Sequence, residues 1–448
     1  MTEQANVSRK AQSSFVTKLE ITSNKDKSKI VSLLGGLDAP GPRLAHIEYE
    51  ESILHDTVRA KVIFDDTGGA IDGKSTIEGL PLVGTEEVNL RFKDNNENEI
   101  KIQLYVNKVT PIFQDTRKSR VMVNLVSREF LRNEQVRLNI RFDGRISDHI
   151  KKILTAKTFL NTKKKLDIEE TSNNYNFIGN NKKPYYALNW LSKASVPGKD
   201  GKKGDSAGFF FFETSEGFKF KSIDGLFAQT EKVSLIYNES DDKDGKVPAG
   251  YTGKVLQQQS DNVVNAQEKF QMGAYGTKLI LFDPFNCYYE VVKQTAEESK
   301  KGTKLAGKDL PKLNDEFKSD FTRTTYMLID KGTLPTGNTK QQISKSTEAN
   351  FESKSVLNQA IRRYNQMFAG MQTITIAGDF SLHAGDAVRL DIPAGEAEKS
   401  DNVNREYSGL YIIADLCHYI SPTETYTKMN LVRDSFGRKG NHTKRIPL

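Results

Sequence analysis

The sequence predicts a β-rich α+β fold: two similar small antiparallel β-barrels with α+β insertions between them. Three observations carry this. Apolar and polar residues alternate with a period of two over two separate stretches, 46–130 and 373–432. Helical spacing is confined to the residues between those stretches. The two β-rich stretches also share short runs of sequence in the same order, as if one unit occurred twice.

Residues 1–14 are polar and read as a flexible arm. The first barrel is expected over 15–130. Val58, Ala60, Val62 and Phe64 mark one face of a strand, and Val88, Leu90 and Phe92 mark another. The turn formers Asp94, Asn95 and Asn96 lead to Ile102, Leu104 and Val106, and then to Val121, Val123 and Leu125. Such alternation describes strands with one face in a core. An α+β segment follows over 131–226. Asp148 is placed to cap a helix carrying Ile150, Ile153 and Leu154, and a second helix spans Tyr185–Ala194 around Trp190. A loop rich in glycine and lysine, 197–205, precedes a phenylalanine-rich hairpin, Phe209–Glu213 and Phe218–Ile223.

The second barrel is expected to be discontinuous, 227–240 and 366–436, around an inserted domain at 241–365. Within and beside that insertion, 239–265 and 296–320 read as exposed polar excursions, and Lys278–Asp283 and Tyr288–Val292 as strands. Ser353–Ala369 reads as a helix with Val356, Ala360, Tyr364 and Met367 on one face. Strands resume at Thr373–Ile376, Val388–Ile392, Leu410–Tyr419 and Tyr426–Val432, and 437–448 is a basic tail.

The repeat is most visible in two runs. Leu82-Val83-Gly84-Thr85-Glu86-Glu87-Val88-Asn89-Leu90 matches Leu382-His383-Ala384-Gly385-Asp386-Ala387-Val388-Arg389-Leu390: a glycine, an acid, then an alternating strand. Val123–Phe130 and Met429–Phe436 each hold Asn-Leu-Val and end on phenylalanine. The glycine-to-phenylalanine separations, 46 and 51 residues, agree. A duplicated unit has a geometric use. Three such chains in a closed ring present six nearly equivalent modules, able to meet a sixfold partner on one face and a threefold partner on the other.

Composition excludes several classes. Lys plus Arg number 65 against 58 acids, a net charge of +7. The last 16 residues hold Arg433, Arg438, Lys439, Lys444 and Arg445 against Asp434 alone, so the remainder is nearly neutral. That argues against a nucleic-acid-binding surface over the whole body. Two cysteines, Cys287 and Cys417, are too few for a disulfide framework or a zinc site and are expected as buried small hydrophobes. No apolar run approaches the roughly 18 residues of a membrane helix, and Met1–Lys10 has no apolar signal core.

Motifs for chemistry are thin. Gly68–Ser75 fits the phosphate-loop pattern G-x-x-x-x-G-K-S, but phosphate binding needs a helix opening at Lys74 and Ser75. Gly79 and Pro81 follow too soon for one, so a hairpin connection is expected. Ser240–Gly245 resembles a calcium loop, with Ser in place of the first Asp and Tyr251 where a bidentate Glu belongs. The six histidines form no H-x-x-x-H pair, and no G-x-S-x-G elbow occurs. No catalytic, cofactor-binding or metal-ligating residue is assigned.

The C-terminal stretch carries a resemblance. Ile376-Ala377-Gly378-Asp379-Phe380, then Leu382–Val388, then Tyr407-Ser408-Gly409-Leu410-Tyr411-Ile412-Ile413, His418, Tyr426-Thr427 and Leu431–Ser435 resemble the closing barrel of baseplate central hub proteins of contractile-tailed bacteriophages. The same module forms the N-terminal part of type VI secretion spike proteins. The motif match covers about 370–436, and the rest matches by order of elements. Its signature positions are Gly84, Gly378, Asp379, Gly385, Asp386, Gly409, Tyr411, His418, Tyr426, Arg433 and Asp434, with Gly378, Gly385 and Gly409 expected in tight turns at barrel rims.

The resemblance implies a structural, non-enzymatic protein of the virion tail baseplate, assembled in the host cytoplasm. It would be a homotrimer whose two barrels per chain form a pseudo-sixfold ring. That ring would join the tail tube or a tube-initiator protein to a central spike protein, with baseplate wedge proteins as further neighbours. DNA would pass through the lumen without specific binding, and neither cofactor nor membrane is implied. No repetitive β-helix follows residue 436, which points to a spike carried by a separate polypeptide. Two alternatives stay open: a tail-associated cell-wall hydrolase in the acid-rich, aromatic region near 205–320, and a type VI spike-like protein.

Overall fold

The computed structural model describes residues 15–35, 41–69, 71, 73–115, 118–198, 206–237, 250–261, 265–284, 286–295, 303–317, 323–330, 338–346, 353–393, 403–404 and 406–437. The expected N-terminal arm, the Ser240–Gly245 loop and all of the basic tail but Gly437 lie outside the described residues.

The first β-rich stretch gives seven strands: β1 Phe15–Thr22, β2 Ile30–Ser32, β3 Pro42–Ser52, β4 Arg59–Asp66, β5 Glu87–Lys93, β6 Glu99–Gln114 and β7 Ser119–Val126, with a one-turn helix, α1 Thr76–Gly79, before β5. They form a sheet in the order β3-β4-β7-β6-β5-β1-β2. Period-two alternation puts Tyr49, Val62, Phe64, Val88, Phe92 and Val123 among the side chains of one core. The sheet curls around that core, and among the described residues no pairing joins β2 to β3.

The middle segment is α+β: α2 Arg128–Gln135, β8 Arg141–Phe142, α3 Ile146–Thr155, β9 Leu166–Ile168, β10 Phe177–Ile178, α4 Pro184–Ala194, β11 Phe209–Thr214, β12 Gly217–Ser222 and α5 Ile223–Phe227. Its aromatic core includes Phe142, Phe177, Phe209, Phe211, Phe218 and Phe220. The hairpin β11–β12 is the one the phenylalanine pattern predicts. Helix α3 begins two residues before Asp148, which sits in its first turn instead of capping it.

The last portion contains β13 Val233–Ile236, β14 Gly253–Asp261, α6 Ala266–Met272, β15 Gly276–Asp283, β16 Tyr288–Thr295, β17 Arg323–Leu328, α7 Thr339–Ser346, α8 Ser353–Met367, β18 Gly370–Ala377, β19 Ala387–Asp391, β20 Gly409–Ile420 and β21 Thr425–Arg433. Six of these strands, ordered β19-β13-β14-β18-β21-β20, close into a barrel through the β19–β20 pairing. The β-rich α+β fold predicted by the sequence is therefore present. Strand β13 runs parallel to both its neighbours, β14 and β19, so the barrel is mixed where antiparallel pairing was expected.

Three local expectations are corrected. The span 239–265, expected as an exposed excursion, supplies barrel strand β14. Its sequence runs Gln257-Gln258-Gln259-Ser260 without alternation because Val255 alone among its side chains from Val255 to Ser260 is buried. Cys287 is exposed in the β15–β16 turn at φ 52°, and Cys417 is half-buried. Arg433, counted with the basic end of the chain, is fully buried at the end of β21.

Candidate assembly interface

The repeat extends well beyond the runs that reveal it. β5 pairs with β6 at Val88↔Leu104, and β6 with β7 at Val106↔Leu125. In the barrel, β19 pairs with β20 at Val388↔Tyr411, and β20 with β21 at Ile413↔Leu431. Both ladders slip by one residue at the same place, after Val106 and after Ile413. The strands before them agree too. β3 meets β4 at Leu44↔Phe64 and slips before His46, while β14 meets β18 at Val255↔Ile376 and slips before Gln257. Five strands thus correspond: β3, β4, β5, β6 and β7 with β14, β18, β19, β20 and β21. A bulge is a positional feature of the backbone, and two shared bulges in one register mark one unit built twice.

The turns that open β5 and β19 repeat as well. Thr85 and Gly385 occupy the same place with φ of 70° and 85°. The Thr85 N–H donates to the Val106 carbonyl at 2.7 Å, and the Gly385 N–H to the Ile413 carbonyl at 2.8 Å. The return bonds, Val106 N–H to Glu86 carbonyl and Ile413 N–H to Asp386 carbonyl, measure 2.9 and 3.0 Å. The acid closes each turn: the Glu86 carboxylate accepts the Val83 N–H at 2.8 Å, and that of Asp386 the His383 N–H at 2.9 Å.

The two modules meet on β20. Along one edge this strand pairs with β21; along the other it pairs first with β19, at Gly409–Ile412, and then with β3, at Asp415–Ile420. Its bulge lies between the two halves and turns the strand from one partner to the next. The result is a single sheet of thirteen strands.

Buried carboxylates pin this junction. Glu51, on β3, accepts hydrogen bonds from the Tyr49 hydroxyl at 2.9 Å, the Ser215 N–H at 2.7 Å and the Ala384 N–H at 3.1 Å, and lies 3.3 Å from His383 Nδ1. One side chain therefore ties the first module, the β11–β12 turn and the turn before β19. Burial acts to raise the Glu51 pKa, but His383 and the Ser215 N–H outweigh it and hold the carboxyl at about 2. Burial acts to lower the His383 pKa, and Glu51 beside it reverses the sign and raises it. Asp94 accepts the Phe380 N–H at 2.9 Å, and the Phe380 ring packs edge-on against Phe92 at 4.7 Å. Behind the barrel, the fully buried Arg363 guanidinium bridges Asp224 at 2.9 Å and Asp434 at 2.8 Å.

The signature residues fall into separate groups. Gly409, Tyr411 and Arg433 come together: the Arg433 guanidinium lies 5.0 Å from the Tyr411 ring centre and bonds the backbone carbonyls of Ser408 and Ser435. Gly378, Asp379 and His418 gather around β21. A Cβ on Gly378 would meet Thr425 Cγ2 at 2.5 Å, and Thr427 Oγ1 contacts both the Asp379 N–H and His418 Nδ1. Gly385 abuts Phe212, Asp386 pairs with Lys232 at 2.8 Å, and Tyr426 stacks on Tyr419 at 4.7 Å. Gly84 stands in the other module, at the place of Ala384, and donates its N–H to Glu86 at 2.9 Å. Asp434 is the acceptor for Arg363. These contacts are with the chain's own backbone and side chains, and they bring no reacting constellation into a cleft.

The phosphate-loop pattern resolves in the same way. A helix does follow Ser75, contrary to expectation, but α1 is a single turn, and the Asp66 carboxylate already accepts the N–H groups of Gly68 and Thr76 at 2.9 and 2.6 Å. A carboxylate of the chain itself stands where a phosphate would. Among the described residues no group of three or more His, Cys, Asp or Glu is arranged to hold a metal ion. Sequence reasoning missed Glu51, Asp94 and Arg363. For Glu51 the signal exists: it continues the inward phase of Ile47 and Tyr49.

The fold is shared with two solved tail proteins, one of them from a prophage. The 43 kDa tail protein of prophage MuSo2 from Shewanella oneidensis superposes with a TM-score of 0.51 at 11% identity, over 93% of this chain and 98% of that one. The tail protein of Neisseria meningitidis MC58 gives 0.51 at 9% identity, over 93% and 96%. Nearly the whole length of both chains takes part, so the likeness is one of architecture and extends beyond a single barrel. No family model and no curated protein matches the sequence.

Proposed function

We propose that this chain is the structural hub of a contractile-tail baseplate in the virion, assembled in the host cytoplasm. Three copies close into a ring of six modules. The ring joins a sixfold tail tube or tube initiator to a threefold central spike, with baseplate wedge proteins around it and a channel through which DNA passes. The protein works by shape and symmetry and carries out no reaction.

The observation supporting this reading is the five-strand duplication in one register. A threefold assembly offers a sixfold face only if each chain holds two interchangeable units, and β3–β7 and the strands β14, β18–β21 have the same pairings and share two bulges. Likeness to these two tail proteins over the whole fold agrees with it. Mass photometry with electron microscopy tests it: a three-copy ring with six lobes around an opening is expected. A stable monomer at micromolar concentration would overturn it.

A further inference from the structure

The seam between the first module and the middle segment opens into a cleft of about 590 Å³, lined by five cations, Lys101, Arg128, Lys163, Lys164 and Lys165, against two acids, Glu129 and Glu216. Its volume falls within the roughly 300–1,000 Å³ of clefts that bury a ligand. Three segments supply the cations, each for a local reason. On β6, Ile100, Ile102 and Leu104 face the core, which turns Lys101 and Gln103 outward. Arg128 opens α2 and is held by the backbone carbonyls of Leu160 and Asn161. The run Lys163–Lys165 leads into β9, with Lys164 half-buried and its two neighbours exposed.

The ion pairs decide which of these charges are free. Lys164 lies 3.2 Å from Glu129 Oε2 and bonds Glu213, so two buried carboxylates neutralise it. Glu216 is met by Lys219 at 2.8 Å. Among the described residues Lys101, Lys163 and Lys165 have no carboxylate partner, and Arg128 has Glu129 alone, at 3.6 Å. Walls of low dielectric focus the field of like charges in a cleft, so these four attract an anion more strongly than the same side chains on an open face.

We propose that this cleft receives an acidic segment of a partner protein, whose carboxylates pair with Lys101, Arg128, Lys163 and Lys165. The surroundings of the cations favour that ligand over other anions. Glu129 and Glu213, buried beside Lys164, repel a compact phosphate driven against it. Lysines act as separate point charges, suited to carboxylates spaced along a chain. Single-stranded nucleic acid is held by successive aromatic faces, and the lining holds one ring, the half-buried Tyr105. Gln103 and Asn161, also in the lining, carry amides suited to the backbone of a peptide. The site lies within one chain and is independent of ring closure.

The test is fluorescence anisotropy of a dye-labelled peptide of alternating Asp and Glu, titrated with the full chain at physiological ionic strength. Saturation at one peptide per chain is expected. Binding should weaken at least tenfold in the chain carrying Lys101→Glu, Lys163→Glu and Lys165→Glu. It should change less than twofold in a control of equal charge, Lys25→Glu, Lys27→Glu and Lys157→Glu, whose lysines are exposed outside the cleft. Equal losses in the two variants would mean attraction by overall charge and overturn the proposal, as would the absence of saturable binding. Displacement of the peptide by inorganic phosphate, but not by chloride at equal ionic strength, would make this a phosphate site. Tighter binding of single-stranded oligothymidylate, lost in the cleft variant, would make it a nucleic-acid site. Either result overturns the acidic segment. The titration counts sites per chain, so its outcome is separate from the number of copies that mass photometry reads.

Discussion

Glu51 and His418 show how single buried side chains hold the junction between modules. Glu51 is an ionised carboxylate in a core, and three donors from three segments offset the cost of taking it from water. His418 is also fully buried, and burial depresses its pKa to about 4 against the opposing pull of Glu51. The imidazole is thus neutral in the folded protein, while in the unfolded chain it titrates near the ordinary 6.5. The unfolded state then binds the extra proton between those values. His418 therefore contributes stability that is whole above pH 6.5 and is lost as pH falls toward 4, by about 3 kcal/mol in the limit. His383, whose pKa is raised, contributes with the opposite sign over the same interval, so the effect of His418 is read by comparing denaturant midpoints at pH 7 and pH 5 between the native chain and a variant. In His418→Asn, which keeps a hydrogen-bonding partner for Thr427, acidification from pH 7 to pH 5 should cost less stability than in the native chain; an unchanged slope would refute the assignment.

At the scale of the element, the turn before β19 and its counterpart before β5 place the same demand on different residues. Gly385 meets the left-handed conformation without strain, and a Cβ there would lie 2.7 Å from Phe212 Cζ. Thr85 holds the same conformation with a β-branched side chain, which L-residues adopt only under constraint. Equivalent positions should therefore respond in opposite directions. Gly385→Ala should destabilise by about 1–3 kcal/mol, and Thr85→Gly should be neutral or stabilise by about 1 kcal/mol. Thermal melts of the two variants check this, and a shared sign would count against the equivalence of the two turns.

For the whole molecule, the shared strand β20 decides how the modules behave together. Its first half completes the barrel and its second half extends the first module, so neither module keeps a full set of hydrogen bonds without the other. The middle segment is tied to both. Glu213 accepts hydrogen bonds from Thr57 and Ser127, and Arg363 joins Asp224 to Asp434. Unfolding followed by calorimetry should accordingly show the two β modules melting in one transition. Two separate transitions, each abolishing one module's strands, would contradict a common sheet.

The β-rich class, the phenylalanine hairpin, α4, α8 and the strands of the C-terminal barrel were legible because alternation and helical spacing are local patterns, set by which face of each element meets a core. The repeat was legible where its turns keep a glycine and an acid, as in Leu82–Leu90 and Leu382–Leu390. β14 was not, because a strand whose side chains from Leu256 to Ser260 remain accessible carries no alternation. Nor could a linear pattern show that β13 runs parallel, that β20 divides its edge between β19 and β3, or that Glu51 faces Ala384 more than 300 residues away. The order of residues set the elements and their inward faces, since those depend on neighbours two to four positions apart. Closure of the barrel and the junction between modules were decided only by tertiary structure, because each depends on backbone groups that meet across the whole length of the chain.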